Sequence, residues 1–62
     1  MQSGFIVNHP ADFDYAVHLK KHIDVWLQGQ LICSGVIERH TEESVTILGE
    51  KYIKAFCEFK VR

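Results

Sequence analysis

The stretch "WLQGQLICSGVIERHTEESVTIL", Trp26 to Leu48, decides how this chain folds. Gly29 lies in "QGQ", a polar break between two alternating runs, and marks a turn. Gly35 lies inside a run, where Leu31, Cys33, Gly35 and Ile37 alternate with their neighbours at the period of a strand. A mid-strand glycine weakens a flat strand but permits a sharp bend or the close approach of another backbone. "RHTEES" is a second polar break, after which Val45 and Ile47 alternate again. The stretch reads as strand, turn, bent strand, turn, strand.

Upstream, Ile23, Val25 and Leu27 alternate with Asp24, Trp26 and Gln28. Downstream, "GE" turns the chain into "KYIKAFCEFKVR", where Ile53, Ala55, Cys57, Phe59 and Val61 are expected to share one face. Before all of these lies the only proline, Pro10, in the setting of a helix's first turn. Asn8 or His9 would cap that helix, Asn8 being the better acceptor. Asp12 and Asp14 near its start, and Lys20, Lys21 and His22 at its end, suit the helix dipole. Phe13, Ala16 and Val17 follow helical spacing, with Leu19 near the same stripe. The preceding "FIV" would be a staple onto the helix or a short extra strand.

A parallel sheet needs crossovers for which the chain has no room. The expected fold is mainly β: an N-terminal α-helix, about residues 10–20, then a small five-stranded, strongly bent antiparallel barrel, about residues 22–62. Residues 1–62 form one domain, whose core alone supplies only about 3–5 kcal/mol. The 47 % apolar content excludes disorder by composition. No apolar run approaches the ~18 residues of a membrane span. "MQSGFIVNHPADF" has no charged leader, so a cytoplasmic location is expected. Cys33 and Cys57 sit in apolar runs and read as reduced, buried thiols.

The net charge of −1 lacks the basic excess of a free-standing nucleic-acid binder. Only a local basic patch on an oligomer would serve. His18 and His22 have metal-compatible spacing, but a site needs three or four ligands. Completion by His40 and Cys33 would need a coincidence of folding, so surface histidines are the expectation. Ser34 in "CSGV" lacks a strand-to-helix elbow, and Glu42 and Glu43 read as a solvated turn. No catalytic residue, metal or cofactor is expected, and the chain is not read as an enzyme. Trp26 alternates away from Val25 and Leu27. It would pack under the helix or form part of an interface.

Those residues together resemble the Sm and Sm-like family, which includes bacterial Hfq. Ile23, Val25 and Leu27 match the family's first apolar strand, Gly29 its turn glycine, Gly35 its bending glycine and Ile37 the apolar residue that follows. Val45 to Leu48 falls on its third strand. "YIKAF" is similar to the Hfq run of tyrosine, lysine, histidine, alanine and isoleucine, with Lys54 in place of histidine. Lys54 and Ala55 also fall on the arginine–glycine pair of Sm proteins. The resemblance covers nearly the whole chain.

The resemblance implies a non-enzymatic homo-oligomer. In a ring, the fourth strand of one subunit would pair with the fifth of the next. It also implies RNA as a ligand, with Lys54 and Tyr52 as the compatible site residues. Thr41 stands where the family has an aspartate, Glu43 where a ring stacks on a base, and Val45 where an asparagine reads the uracil edge. Base recognition needs a π-face and a polar edge partner, so a uridine pocket is not expected. The leading expectation is an Sm-like oligomer that binds RNA weakly or acts in RNA-related regulation. The alternative is an SH3-like barrel that adapts one protein to another, with no nucleic-acid role.

Overall fold

A proline and an acidic residue set the start of the single helix. In the computed structural model, which describes all 62 residues, α1 spans Pro10–His18. Its N-cap is His9, not Asn8. The reason lies in Asp12, whose Oδ2 accepts the His9 backbone N–H at 3.3 Å and closes the first turn without the Asn8 side chain. Phe13 and Ala16 are buried and Val17 is half-buried, while Leu19, beyond the last turn, is exposed. Lys20 N–H bonds Val17 O at 3.1 Å and Lys21 N–H bonds Ala16 O at 3.0 Å, the paired bonds of a Schellman stop. Lys20 therefore occupies the left-handed position (φ 52°) that glycine normally fills.

The strands are β1 (His22–Leu27), β2 (Gln30–His40), β3 (Ser44–Ile47), β4 (Glu50–Ile53) and β5 (Cys57–Val61). They form one antiparallel sheet in the order β4-β3-β2-β1-β5. Two-residue turns join β1 to β2 and β3 to β4. Gln28 and Gly29 have φ of 50° and 75°, Leu48 and Gly49 53° and 78°. Positive φ at both central residues is the hairpin geometry that matches strand twist.

The eleven-residue β2 carries two bulges. Val25 pairs with Cys33 but Trp26 with Leu31, leaving Ile32 extra; Ile37 pairs with Ile47 but Arg39 with Thr46, leaving Glu38 extra. Each bulge reverses which side chains face inward. Leu31 therefore departs from the inward set of Cys33, Gly35 and Ile37, and is exposed. His40 joins Val45 on the inward side. Gly35, between the bulges, lies against the buried Ile47 side chain, so that a Cβ added there would stand 2.9 Å from Ile47 Cγ2.

The core joins Phe13 and Ala16 of α1 to Ile23, Val25, Ile37, Val45, Ile47, Phe59 and Val61 of the sheet, with Val7. The last run of the sequence is two strands, not one face. Phe56 N–H bonds Ile53 O at 3.1 Å, and the turn this closes separates β4 from β5. Cys57, Phe59 and Val61 pair with Leu27, Val25 and Ile23. Ile53 and Ala55 instead lie exposed.

The expected closure of the barrel is absent, because no ladder joins β4 to β5. The outer edge of β5 is taken by the start of the chain. Gly4 N–H bonds Val61 O at 2.7 Å, Val7 N–H bonds Phe59 O at 2.8 Å, and Val61 N–H bonds Phe5 O at 2.9 Å. "FIV" is thus the extra strand segment, with Val7 buried. β4 has β3 as its only neighbour. The helix is too short to cross a membrane.

Trp26 does not pack under α1. The helix buries Phe13 and Ala16 with Ile23 and Val25, on the face opposite Trp26. Trp26 is half-buried, with the Lys60 ammonium 5.1 Å from its ring centroid. Cys33 and Cys57 are free thiols at the rim of the core, half-buried rather than fully enclosed.

Candidate functional site

Lys54 and Tyr52, the residues that the Sm-like resemblance offers for RNA, line different clefts. Lys54 sits in the β4–β5 turn, where its backbone N–H bonds Glu43 O at 2.8 Å. Its ammonium lies 4.1 Å from the Phe13 ring centroid and 3.4 Å from His40 Nδ1. His40 Nε2 in turn lies 2.6 Å from Asp14 Oδ1. With the ring proton on Nε2 donating to the carboxylate, the Nδ1 lone pair accepts from the ammonium. The chain Asp14–His40–Lys54 therefore ties α1 to the end of β2 and to the β4–β5 turn. It also places a cation against the face of a buried aromatic ring.

Phe13 is the hub of this cluster. Its ring stands edge-on to Phe59, with centroids 5.4 Å apart, and tilted against His40 at 5.5 Å. Both separations fall in the range where aromatic pairs add to simple burial. An open cleft of about 360 Å³, lined by Pro10, His40, Thr41, Glu42 and Lys54, lies beside the cluster.

The loop between β2 and β3 is spent on its own fold. Thr41 Oγ1 accepts the N–H groups of Glu43 at 3.3 Å and Ser44 at 3.1 Å, and shares a hydrogen bond with Ser44 Oγ at 3.0 Å. Thr41 N–H bonds Ser44 O at 2.8 Å. Val45 is fully buried in the core, while Glu42 and Glu43 are exposed. A threonine that accepts the N–H groups two and three residues on locks the turn without a ligand.

Tyr52 lines the second cleft, about 330 Å³, at the open seam between β4 and β5. Leu27, Ile32, Ile53, Phe56 and Cys57 line it too. Its phenol is pushed up to about 12, first by its pairing with the Cys33 sulfur and then by burial. Burial also pushes the Cys57 thiol up. Phe56 is 72 % exposed, and Ile32 and Ile53 are 44 % and 41 % exposed, so the seam is an open apolar surface next to an unpaired strand. Apolar side chains beside a free backbone edge are the elements that strand addition uses.

His18 ends α1 and His22 begins β1, and no group of three or more His, Cys, Asp or Glu side chains could hold a metal ion. Ser34 Oγ donates to Asp24 Oδ1 at 2.7 Å, and Arg62 Nε lies 3.2 Å from the same oxygen. Asp24 and Ser34 are thus a cross-strand pair on β1 and β2.

Three features escaped the sequence reading. His40 as a bridge depended on the Glu38 bulge, which alternation does not reveal. Asp14 is its partner across 26 positions. The Phe56 cleft depended on breaking the last run at Ile53. No protein-family model, no curated protein and no solved structure matches this chain.

Proposed function

We propose that this chain is a non-enzymatic, Sm-like β domain that works by association with copies of itself, with RNA as a weak ligand. The observation that carries the reading is the strand order: a helix first, then a sheet whose outermost strands are β4 and β5. Those are the two strands that the Sm-like resemblance pairs between neighbouring subunits. The bent β2 with Gly35 against Ile47 supports the same reading, since a strand shared by both halves of an open barrel must turn sharply. In this reading RNA is held by charge rather than base recognition. Its binding is therefore salt-sensitive and little dependent on sequence.

A second reading has its own support. The Lys54 ammonium is engaged by His40 and Phe13, and the open seam is apolar. An SH3-like adaptor that takes an extended protein segment at β4 would use those features and no nucleic acid.

Sedimentation at several concentrations, with oligo-U titrations at two salt concentrations, separates the two. Self-association with salt-dependent RNA binding is expected. A monomer that ignores RNA at low salt would sink the first reading in favour of the second.

A further inference from the structure

The edge of β5 is not free. Residues 4–7 run along it as a strand held by three backbone bonds, at Gly4, Phe5 and Val7. Ile6 stands opposite Lys60 in the same pairing. The bonds use Val61 N–H, Val61 O and Phe59 O, the groups that any strand added to the outside of β5 would need. β4, at the other end of the sheet, has no such cover.

We infer that residues 4–7 are an exchangeable strand that competes with β4 of a second copy for the β5 edge. The inference rests on association through the sheet edges, as proposed above, and names what regulates it. The chemistry on the two sides of the competition is alike. Each competitor is a short extended segment that offers N–H and C=O groups to the same β5 backbone.

The segment is built to let go. Phe5 and Ile6 are 42 % and 54 % exposed; Val7 alone of the four is buried, and Met1 ahead of them packs half-buried against the core. Gly4 has φ +85°, a value that lets the chain turn onto β5 and that few other residues adopt. Exposed backbone bonds with few buried side chains mark the least stable parts of a fold. The tether supplies the compensating advantage. A strand on the same chain acts at an effective concentration of roughly millimolar, which a second copy at micromolar concentration does not match. The closed form is therefore favoured at micromolar concentration, and association grows as the concentration of second copies rises toward that of the tethered strand.

Two full-length variants test this by sedimentation velocity over a concentration series. Gly4→Pro removes one of the three donors and forbids the positive φ, while leaving the core untouched. It should associate at concentrations at least tenfold lower than the parent. Ile6→Cys with Lys60→Cys, in a Cys33→Ala, Cys57→Ala background, places thiols on directly opposed residues. The bonds flank this pair rather than join it, the closer of the two antiparallel arrangements and the one that suits a disulfide. Oxidised, it should remain monomeric at every concentration; reduced, it should recover parental behaviour. If the oxidised form associates as readily as the parent, the exchange is wrong although association stands. If Gly4→Pro folds but associates no better than the parent, the exchange is again wrong. If no form associates, edge-mediated association falls with it.

Discussion

Replacing Gly35 tests the bend of β2 directly. A Cβ built at this position stands 2.9 Å from Ile47 Cγ2, where carbon–carbon contacts ordinarily settle at about 3.5–4.0 Å. Ile47 is fully buried and cannot swing into solvent. Overpacking of this kind costs about 1–3 kcal/mol. Against it stands the entropy that alanine removes from the unfolded chain, about 0.4–1 kcal/mol. The overpacking dominates, so Gly35→Ala should lose about 1–2 kcal/mol. Gly35→Val adds two more methyl groups to the same gap. Its higher strand propensity, within a scale spanning about 1 kcal/mol, does not compensate. In a domain this small, 1 kcal/mol moves Tm by roughly 4–8 °C. Urea unfolding should show a lower midpoint at unchanged slope, which assigns the loss to stability rather than to compactness. The cause is isolated by Ile47→Leu, which removes Cγ2 at nearly constant volume. In that background Gly35→Ala should cost measurably less, a positive coupling of the kind neighbours show. A variant at Gly35 that melts at or above the parent, or a cycle with no coupling, refutes the close-approach argument.

Left-handed backbone gives a prediction of opposite sign. Lys20 and Leu48 have φ of 52° and 53°, so Lys20→Gly and Leu48→Asn should each raise stability by about 0.5–1 kcal/mol, read from the urea midpoint; losses at both sites would contradict the turn assignments. Tyr52 should ionise late in the native protein, near 12 by ultraviolet titration, and Cys33→Ala should bring it down toward the ordinary value of 10.0. Because the unfolded chain releases that proton first, the Tyr52 contribution is fully present below pH 10.0 and lost as pH rises toward about 12; stability that increases across this window would reverse the sign. Cys57 should react slowly with a mild alkylating reagent near neutral pH, since burial keeps its thiol protonated, and labelling as fast as in urea would refute that.

Element type was legible wherever local chemistry and periodicity agreed. Pro10 and Asp12 fixed the start of the helix, and the alternation of Ile23 and Val25 fixed the first strand and its inward face. Gly29 and Gly49 marked both tight turns. Failures came where a single extra residue changed the phase. Ile32 and Glu38 are ordinary strand residues in composition, and nothing local distinguishes a bulged residue from a paired one. Their effects propagated to Leu31 and His40. The run from Ile53 to Val61 failed for a related reason. Lys54, Ala55 and Phe56 carry no glycine, proline or asparagine, yet Lys54 N–H is drawn to Glu43 O and the chain turns there. Long-range partners decided these points.

Lys54 and the sheet edges differ in what the fold already asks of them. A cation used for RNA must present its charge to solvent, and Lys54 instead spends part of it on the Phe13 ring and the His40 lone pair. Moving it to a phosphate would uncover the hub that joins α1 to the β4–β5 turn. The edge of β4 carries no such internal obligation, and that of β5 is held only by residues 4–7. The Lys51 side of β4 faces no further strand, and what covers β5 is a segment with mostly exposed side chains. A sheet with a core this small gains stability from any strand that pairs with those edges. Function in this protein is therefore to be sought first at β4 and β5, and only then at Lys54.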